Sequence, residues 1–427
     1  MEEILNQLQC QFTWDFEIED KLNCLHVLTN VEMKINYTNY RNHSILYNFK
    51  AFILQKQDRS KDALESLKKA ENIIREDLPS TVDRHILATY GNYAWIYYHL
   101  DDFCKMNAYL CRIREICAKL QGGEYSVETS EMYAEQGWSY WASGQRNGVH
   151  ATRCFERALE MSPNDESLHI GLAFSLSAHF WHTKDLDLGH DAVARLEQIV
   201  QKDPENWEAV VELYIALKDT DEITRGLTLV ENDLPNCCNP SILRKLAITF
   251  KSTDPERAIR ILNRANMLAP DYHLLQSDFG DIYFNMLKSN TFIGQERENL
   301  ISTAISYYAS AIHLQPSSVS SRLRLAHLYG ERGQTEFEEF IYKRLVNQVP
   351  NMSEKSKVNL WYRYGDFKNK SKQYGDAIEF YKRGYSCSPR SFTGLRCKAN
   401  LEWHITWYTR QGDIQRAKEI SSFLSDS

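Results

Sequence analysis

Glycine and proline are scarce, at 18 and 10 in 427 residues. A chain of many tight β-turns draws on both, so an all-β fold is excluded, as are collagen-like and low-complexity chains. No run of about 18 apolar residues occurs, and MEEILNQLQCQF carries no basic n-region or apolar h-region. The ten cysteines form no CxxC pair and no zinc spacing with histidine. Together these features give a reduced, cytoplasmic protein with no membrane partner. There is no GxxxxGK[ST], GxGxxG, HExxH or GxSxG string, and His99, His150, His169 and His190 are scattered, so neither enzyme nor cofactor is expected. The charge is mildly acidic, 50 Lys+Arg against 57 Asp+Glu for a net −7, which denies a general polyanion-binding footprint.

What is present is a repeat. Hydrophobic residues make up 43% of the chain, and they recur on a 34-residue helical-hairpin period. Segment 356–389 holds the clearest copy, with Trp361 at position 4 counted from Val358, Gly365 at 8, Ala377 at 20, Tyr381 at 24, Gly384 at 27 and Pro389 at 32. Further copies carry Ala326, Tyr342 and Pro350; Gly280, Tyr308 and Pro316; Ala258, Ala265 and Pro270; and Ala151, Phe155, Ala158 and Pro163. Small residues at 8, 20 and 27 let helices approach closely. Aromatics at 4, 11 and 24 fill the gaps, and the proline ends the second helix. No hairpin buries its own apolar face, so the stack is the folding unit. The expectation is an all-α superhelical solenoid of tetratricopeptide-type hairpins. It would have an N-terminal helical cap over 1–43, N-terminal hairpins over 44–205, central hairpins over 206–316 and C-terminal hairpins over 317–427. Residues 120–131, 181–191 and 286–299 interrupt the period as insertions, either idle surface loops or parts of a working face.

In such an array positions 2, 5, 9 and 12 of each first helix point into the concave groove. The N-terminal groove then reads as aromatic and nearly uncharged, with Asn48, Phe52, Gly91, Trp95, Tyr98 and Tyr140. These rings either stack a base or pack between hairpins. Arg244 and Lys251 lie one helical face apart as a local cation site, and Glu205, Glu208, Glu212, Asp278 and Asp281 oppose a polyanion. The residues alone leave two occupants open, an RNA end or a protein segment.

Specific strings go further. LQCQFTW (8–14), YGNYAWIYYHLDD (90–102), QGW (136–138), RCFERALEMSPND (153–165) and WYRYGDFKNKS (361–371) together resemble the interferon-induced proteins with tetratricopeptide repeats. The resemblance implies a cytoplasmic antiviral protein of innate immunity. It would bind the 5′ end of foreign single-stranded RNA, as a triphosphate or cap, and block translation. It also implies contacts with family members or the translation machinery. The alternative is a protein-interaction scaffold in antiviral signalling without RNA-end recognition. The family tryptophan that stacks on the RNA end corresponds to Trp138, its apolar counterpart to Phe174, and phosphate-binding cations to Arg244 and Lys251. Other positions depart. The family lysine is Ala142, a tyrosine falls near Gly148, an arginine falls at Ala178 beside His179, and a His-Gln pair aligns to Ser277 and Asp278. Each lost charge-assisted contact costs roughly 1.5–3 kcal/mol. Lys34, Arg41, Lys50 and Arg146 are the cations available to replace them.

Overall fold

The computed structural model describes residues 1–17, 21–37, 43–220, 222–231, 234–288 and 291–426. Among these the chain is helical throughout, with no strand. Successive helices pair as hairpins, from His43–Lys56 with Ser60–Asp77 through to Phe392–Gln411 with Ile414–Asp426. The second helices stop at Met161, Lys202, Leu268, Leu314 and Cys387. Each stop lies two residues before a proline (163, 204, 270, 316 and 389), whose ring disfavours helical backbone in the residue ahead of it. First helices start on side-chain caps: Asp165 accepts from the Ser167 and Leu168 amides, Asn206 from Ala209 and Ser353 from Ser356.

The template positions meet as the period requires. The Phe155 ring lies under two helices, and a Cβ added at Gly171 would sit 2.4 Å from it. Only glycine allows that approach. The same fit recurs at Gly280 over Tyr308 and at Gly365 over Tyr381. All three aromatics are fully buried.

Contacts divide the chain into two compact units. Unit 1 comprises residues 1–19, 23–249 and 263–268, and unit 2 comprises residues 20–22, 250–262 and 269–427.

Unit 1 differs from a bare array, because its N-terminal segment fills the inner side of the first three hairpins. Leu5, Cys10 and Gln11 are fully buried. Trp95 Nε1 donates to the Leu5 carbonyl at 3.2 Å, and Phe12 stacks on Trp95 with centroids 5.8 Å apart. Phe16 packs on Phe49, Phe52 and Tyr140. Gly91 faces Cys10 so closely that a Cβ there would lie 2.8 Å from the cysteine's. The expected aromatic groove is therefore core. Neither an RNA base nor the next hairpin covers Trp95 and Tyr140; the chain's own residues 5–16 do.

The 120–131 insertion proves to be part of this closure. Tyr125 and Val127 are buried. The Gln9 amide clamps Val127, accepting from its N–H at 2.7 Å and donating to its carbonyl at 3.1 Å. The 181–191 insertion lengthens both helices of its hairpin, which meet at a left-handed Lys184. In unit 2 the 286–299 insertion, whose residues 289–290 lie outside the described residues, lines a cleft of about 500 Å³ with Phe284, Leu287, Lys288, Arg297, His327 and Glu331. Among the described residues no helix is long and apolar enough to cross a membrane, and no cluster of His, Cys, Asp or Glu could hold a metal.

Candidate nucleic-acid interface

The helices Ser130–Ser143 and Glu166–Thr183 place Trp138 and Phe174 side by side, ring centroids 6.5 Å apart and planes at 80°. Both are nearly sealed, at 6% and 1% exposed. Trp138 also meets Phe155 edge to face at 5.1 Å. One turn along, Trp141 stacks on Phe174 at 5.7 Å and 21°, and meets Trp138 edge to face at 5.4 Å. Its outer face carries Lys34, whose Nζ sits 3.0 Å from the ring centroid. Lys34 comes from the helix Lys21–Tyr37. Burial pushes its ammonium down to about 8, against the pull of the Glu208 and Glu212 carboxylates and with the push of Lys245.

The groove acids of this unit are engaged. Glu212 is buried and is bonded to Lys245 and to Ser177 Oγ, the latter at 3.2 Å. Lys50 pairs with Glu32 at 2.8 Å, Arg146 is exposed, and Arg41 lies outside the described residues. Gly148, near which the resemblance puts a tyrosine, packs against the 178–179 backbone. That contact leaves no room for a side chain.

Arg244 is half-buried on the helix Pro240–Phe250. The helix ends at Phe250 and Lys251 is the next residue, assigned to unit 2.

Unit 2 gathers cations that sequence reasoning passed over. Lys288 Nζ lies 5.2 Å from the Phe284 ring centroid and the Arg324 guanidinium 4.5 Å from it. Burial, then Arg324, Arg363 and Lys251, hold the Lys288 ammonium below its ordinary value, with Asp281 acting the other way. Burial and Arg324 likewise lower Arg363. Burial, Arg363, Lys370 and Arg324 drive His327 down to about 4, against Glu331, so it is neutral at physiological pH. Asp281 accepts from Tyr308 Oη at 2.5 Å and lies 3.7 Å from Arg324 Nε. Asp366 accepts from Tyr381 Oη at 2.8 Å. Two cations on one ring, with Arg363 and Lys251 acting on them, outnumber the Asp281 carboxylate that Arg324 and Tyr308 share and favour an anionic ligand. The signal was legible in the repeat: Arg324 and Arg363 each stand two residues before the small residue of the first helix, Ala326 and Gly365. Ser277 Oγ and Ser321 Oγ share a hydrogen bond at 3.2 Å.

No family model matches the chain. Curated relatives do. The antiviral innate immune response effector IFIT1 of Homo sapiens is 28% identical over 407 residues, covering 91% of this chain and 84% of the relative. Interferon-induced protein with tetratricopeptide repeats 2 of Cricetulus griseus is 28% identical over 384 residues, covering 86% and 78%. Over most of its length the chain is thus similar to interferon-induced proteins with tetratricopeptide repeats. Among solved structures, a human IFIT1 dimer with m7Gppp-AAAA matches with a TM-score of 0.69 and 25% identity, over 99% of this chain and 98% of that one. A human IFIT1 dimer with PPP-AAAA matches in fold with a TM-score of 0.68 and 24% identity, over 99% and 96%. The similarity extends to the fold, an all-helical hairpin array. Trp141 and Lys34, which close the Trp138 position, are read from this structure alone.

Proposed function

We propose that this chain is an antiviral protein that binds the 5′ end of single-stranded foreign RNA and blocks its translation, without catalysing a reaction. The observation that carries the reading is the pair Lys288 and Arg324 on the Phe284 ring, with Arg363 and Lys251 close enough to act on their charges, an aromatic-and-cation set suited to an RNA strand. The relatives support it, since IFIT1 is named an antiviral effector and its structures hold capped and triphosphate RNA. In this reading the nearly sealed Trp138 and Phe174 back the RNA end from the core, and Arg244 of unit 1 and Lys251 of unit 2 each offer a phosphate contact. Family members and the translation machinery are the protein partners proposed with it. A scaffold that takes a partner peptide in the N-terminal groove is less favoured, because residues 5–16 already occupy that surface.

The test is filter binding of short single-stranded RNAs at ~150 mM salt. A 5′-triphosphate RNA is expected to bind more tightly than its 5′-hydroxyl counterpart, with Arg244→Ala weakening it about tenfold or more. Equal affinity for the two ends removes end recognition.

A further inference from the structure

The cleft beside Phe284 holds one group that a row of phosphates does not call for. Glu331 ends the helix Val319–Glu331. Arg324, His327 and Glu331 follow one another at spacings of three and four residues, so they share one face of it. At one end of this stripe the charge is positive, with the Arg324 guanidinium and Lys288 Nζ on the Phe284 ring. At the other end stands a carboxylate. Seven residues of helix span roughly 10 Å. That is the reach of one nucleotide from its phosphate to the edge of its base.

Glu331 is held but not used up. Its Oε2 accepts from Arg297 Nη2 at 2.8 Å, and Arg297 also donates to the Leu287 carbonyl at 3.0 Å. Oε1 lies 3.8 Å from His327 Nε2, beyond hydrogen-bond length, and among the described residues it accepts no hydrogen bond. A carboxylate has about four lone-pair sites, so Glu331 can keep Arg297 and take further donors. His327 meets Phe284 edge to face at 5.5 Å and is neutral at physiological pH, so it adds no charge there. Phe292 and Ile293 of the insertion supply apolar wall, and the cleft's volume of about 500 Å³ has room for a nucleobase.

An acceptor-only group sorts bases by the edge they present. Guanine alone offers two adjacent donors on its Watson–Crick edge, N1–H and N2–H. Adenine and cytosine each offer one amino group beside a ring nitrogen whose lone pair repels a carboxylate. Uracil offers one N–H between two carbonyl oxygens.

We propose that this cleft is a base-reading subsite, in which Glu331 accepts from N1–H and N2–H of a guanine within single-stranded RNA while Lys288 and Arg324 hold the phosphate of that nucleotide. The inference rests on the RNA-binding reading above. It concerns the body of the strand and lies wholly within unit 2, apart from Trp138 and Phe174.

The experiment is a binding comparison at ~150 mM salt with the full chain. The probes are ~10-nucleotide single strands that share a 5′-triphosphate and a first adenosine. One is all adenosine. The others alternate adenosine with guanosine, inosine, cytidine or uridine, so that every register offers the test base. The wild type is expected to bind the guanosine strand about tenfold more tightly than the adenosine strand. Inosine keeps N1–H and lacks the 2-amino group, so its strand loses most of that gain. Glu331→Ala, with helicity checked by circular dichroism, brings the guanosine-to-adenosine affinity ratio to about one; Glu331→Gln serves the same purpose if the alanine variant loses helicity. A wild type that binds all strands alike overturns the inference and leaves RNA binding standing. So does a guanosine preference that survives in a folded Glu331 variant. Guanosine monophosphate bound as tightly as the guanosine strand assigns the cleft to a free nucleotide and overturns its assignment to RNA. No binding of any strand overturns both readings.

Discussion

The two units use one hairpin template and treat its inner surface in opposite ways. In unit 1 the first three hairpins are lined by Asn48, Phe52, Trp95 and Tyr140, and the chain's N-terminal segment packs into them until they are core. In unit 2 the corresponding helices carry Asp281, Arg324, Arg363 and Asp366, half-exposed and charged. The gap-filling aromatic changes with them. Phe155 in unit 1 needs no polar partner, whereas Tyr308 and Tyr381 in unit 2 each spend their hydroxyl on a groove carboxylate. A repeat's inward positions are thus not intrinsically a binding surface. They become one where nothing from the same chain covers them, and their charge records the difference.

The largest test of this contrast attacks the closure. Gln11 is fully buried and ties the second and third hairpins together. It accepts from Asn92 Nδ2 at 2.6 Å and donates to Glu135 at 3.1 Å and Ser139 at 3.0 Å. Gln11→Ala strips a partner from each of these buried groups and is expected to cost about 3 kcal/mol or more, read as a lowered urea midpoint by tryptophan fluorescence. The matching change in unit 2, Tyr381→Phe, removes one hydrogen bond at a half-exposed acid and costs about 1 kcal/mol. Equal losses would mean the N-terminal segment is a surface ornament.

Much of this was readable in advance, and the reasons differ by residue. The hairpin boundaries were legible because proline and small residues act locally, so Pro163, Pro204 and Pro389 ended their helices where the period put them. The fate of Trp95 was not. Position 9 of a first helix points inward whether or not something fills the groove, and only a contact with Leu5, 90 residues away in sequence, decides it. Arg244 and Lys251 were legible as cations by residue type, but not that the division between the two units falls between them. Lys34 was visible as a spare cation, yet its seat on Trp141 depends on a long-range contact that no spacing encodes.

A second test uses pH. Burial raises the Glu135 carboxyl to about 7, with Asn48 and Gln11 donating to it and opposing the shift. The folded chain therefore keeps a proton that the unfolded chain releases near the ordinary 4.5. Stability is full below that value, falls as pH rises through 7 and levels off above it, by about 2–3 kcal/mol in all. Glu135→Gln should flatten that fall. In unit 2 burial also raises Glu338 to about 7, but Lys370 and Arg363 pull it down and Glu331 pushes it up. Salt screens those charges, so the Glu338 part of the profile should shift between ~0.1 and ~1 M salt while the Glu135 part stays.

The smallest expected effect on folding separates a binding cation from a structural one. Burial and the neighbouring Arg324 both disfavour the charge on Arg363, with Asp366 and Tyr342 favouring it. A cation placed mainly for packing would lose stability when neutralised. One placed for a polyanion would not, because removing it also removes repulsion. Arg363→Gln is therefore expected to leave the urea midpoint within about 0.5 kcal/mol of wild type. RNA affinity should nevertheless fall about tenfold, and the slope of log affinity against log salt should drop by about one. Tyr98→Ala, at the rim of the covered groove in unit 1, should leave that slope unchanged. If the two variants change the slope alike, charge is not what distinguishes the two inner surfaces, and the open surface of unit 2 loses its claim to the RNA strand.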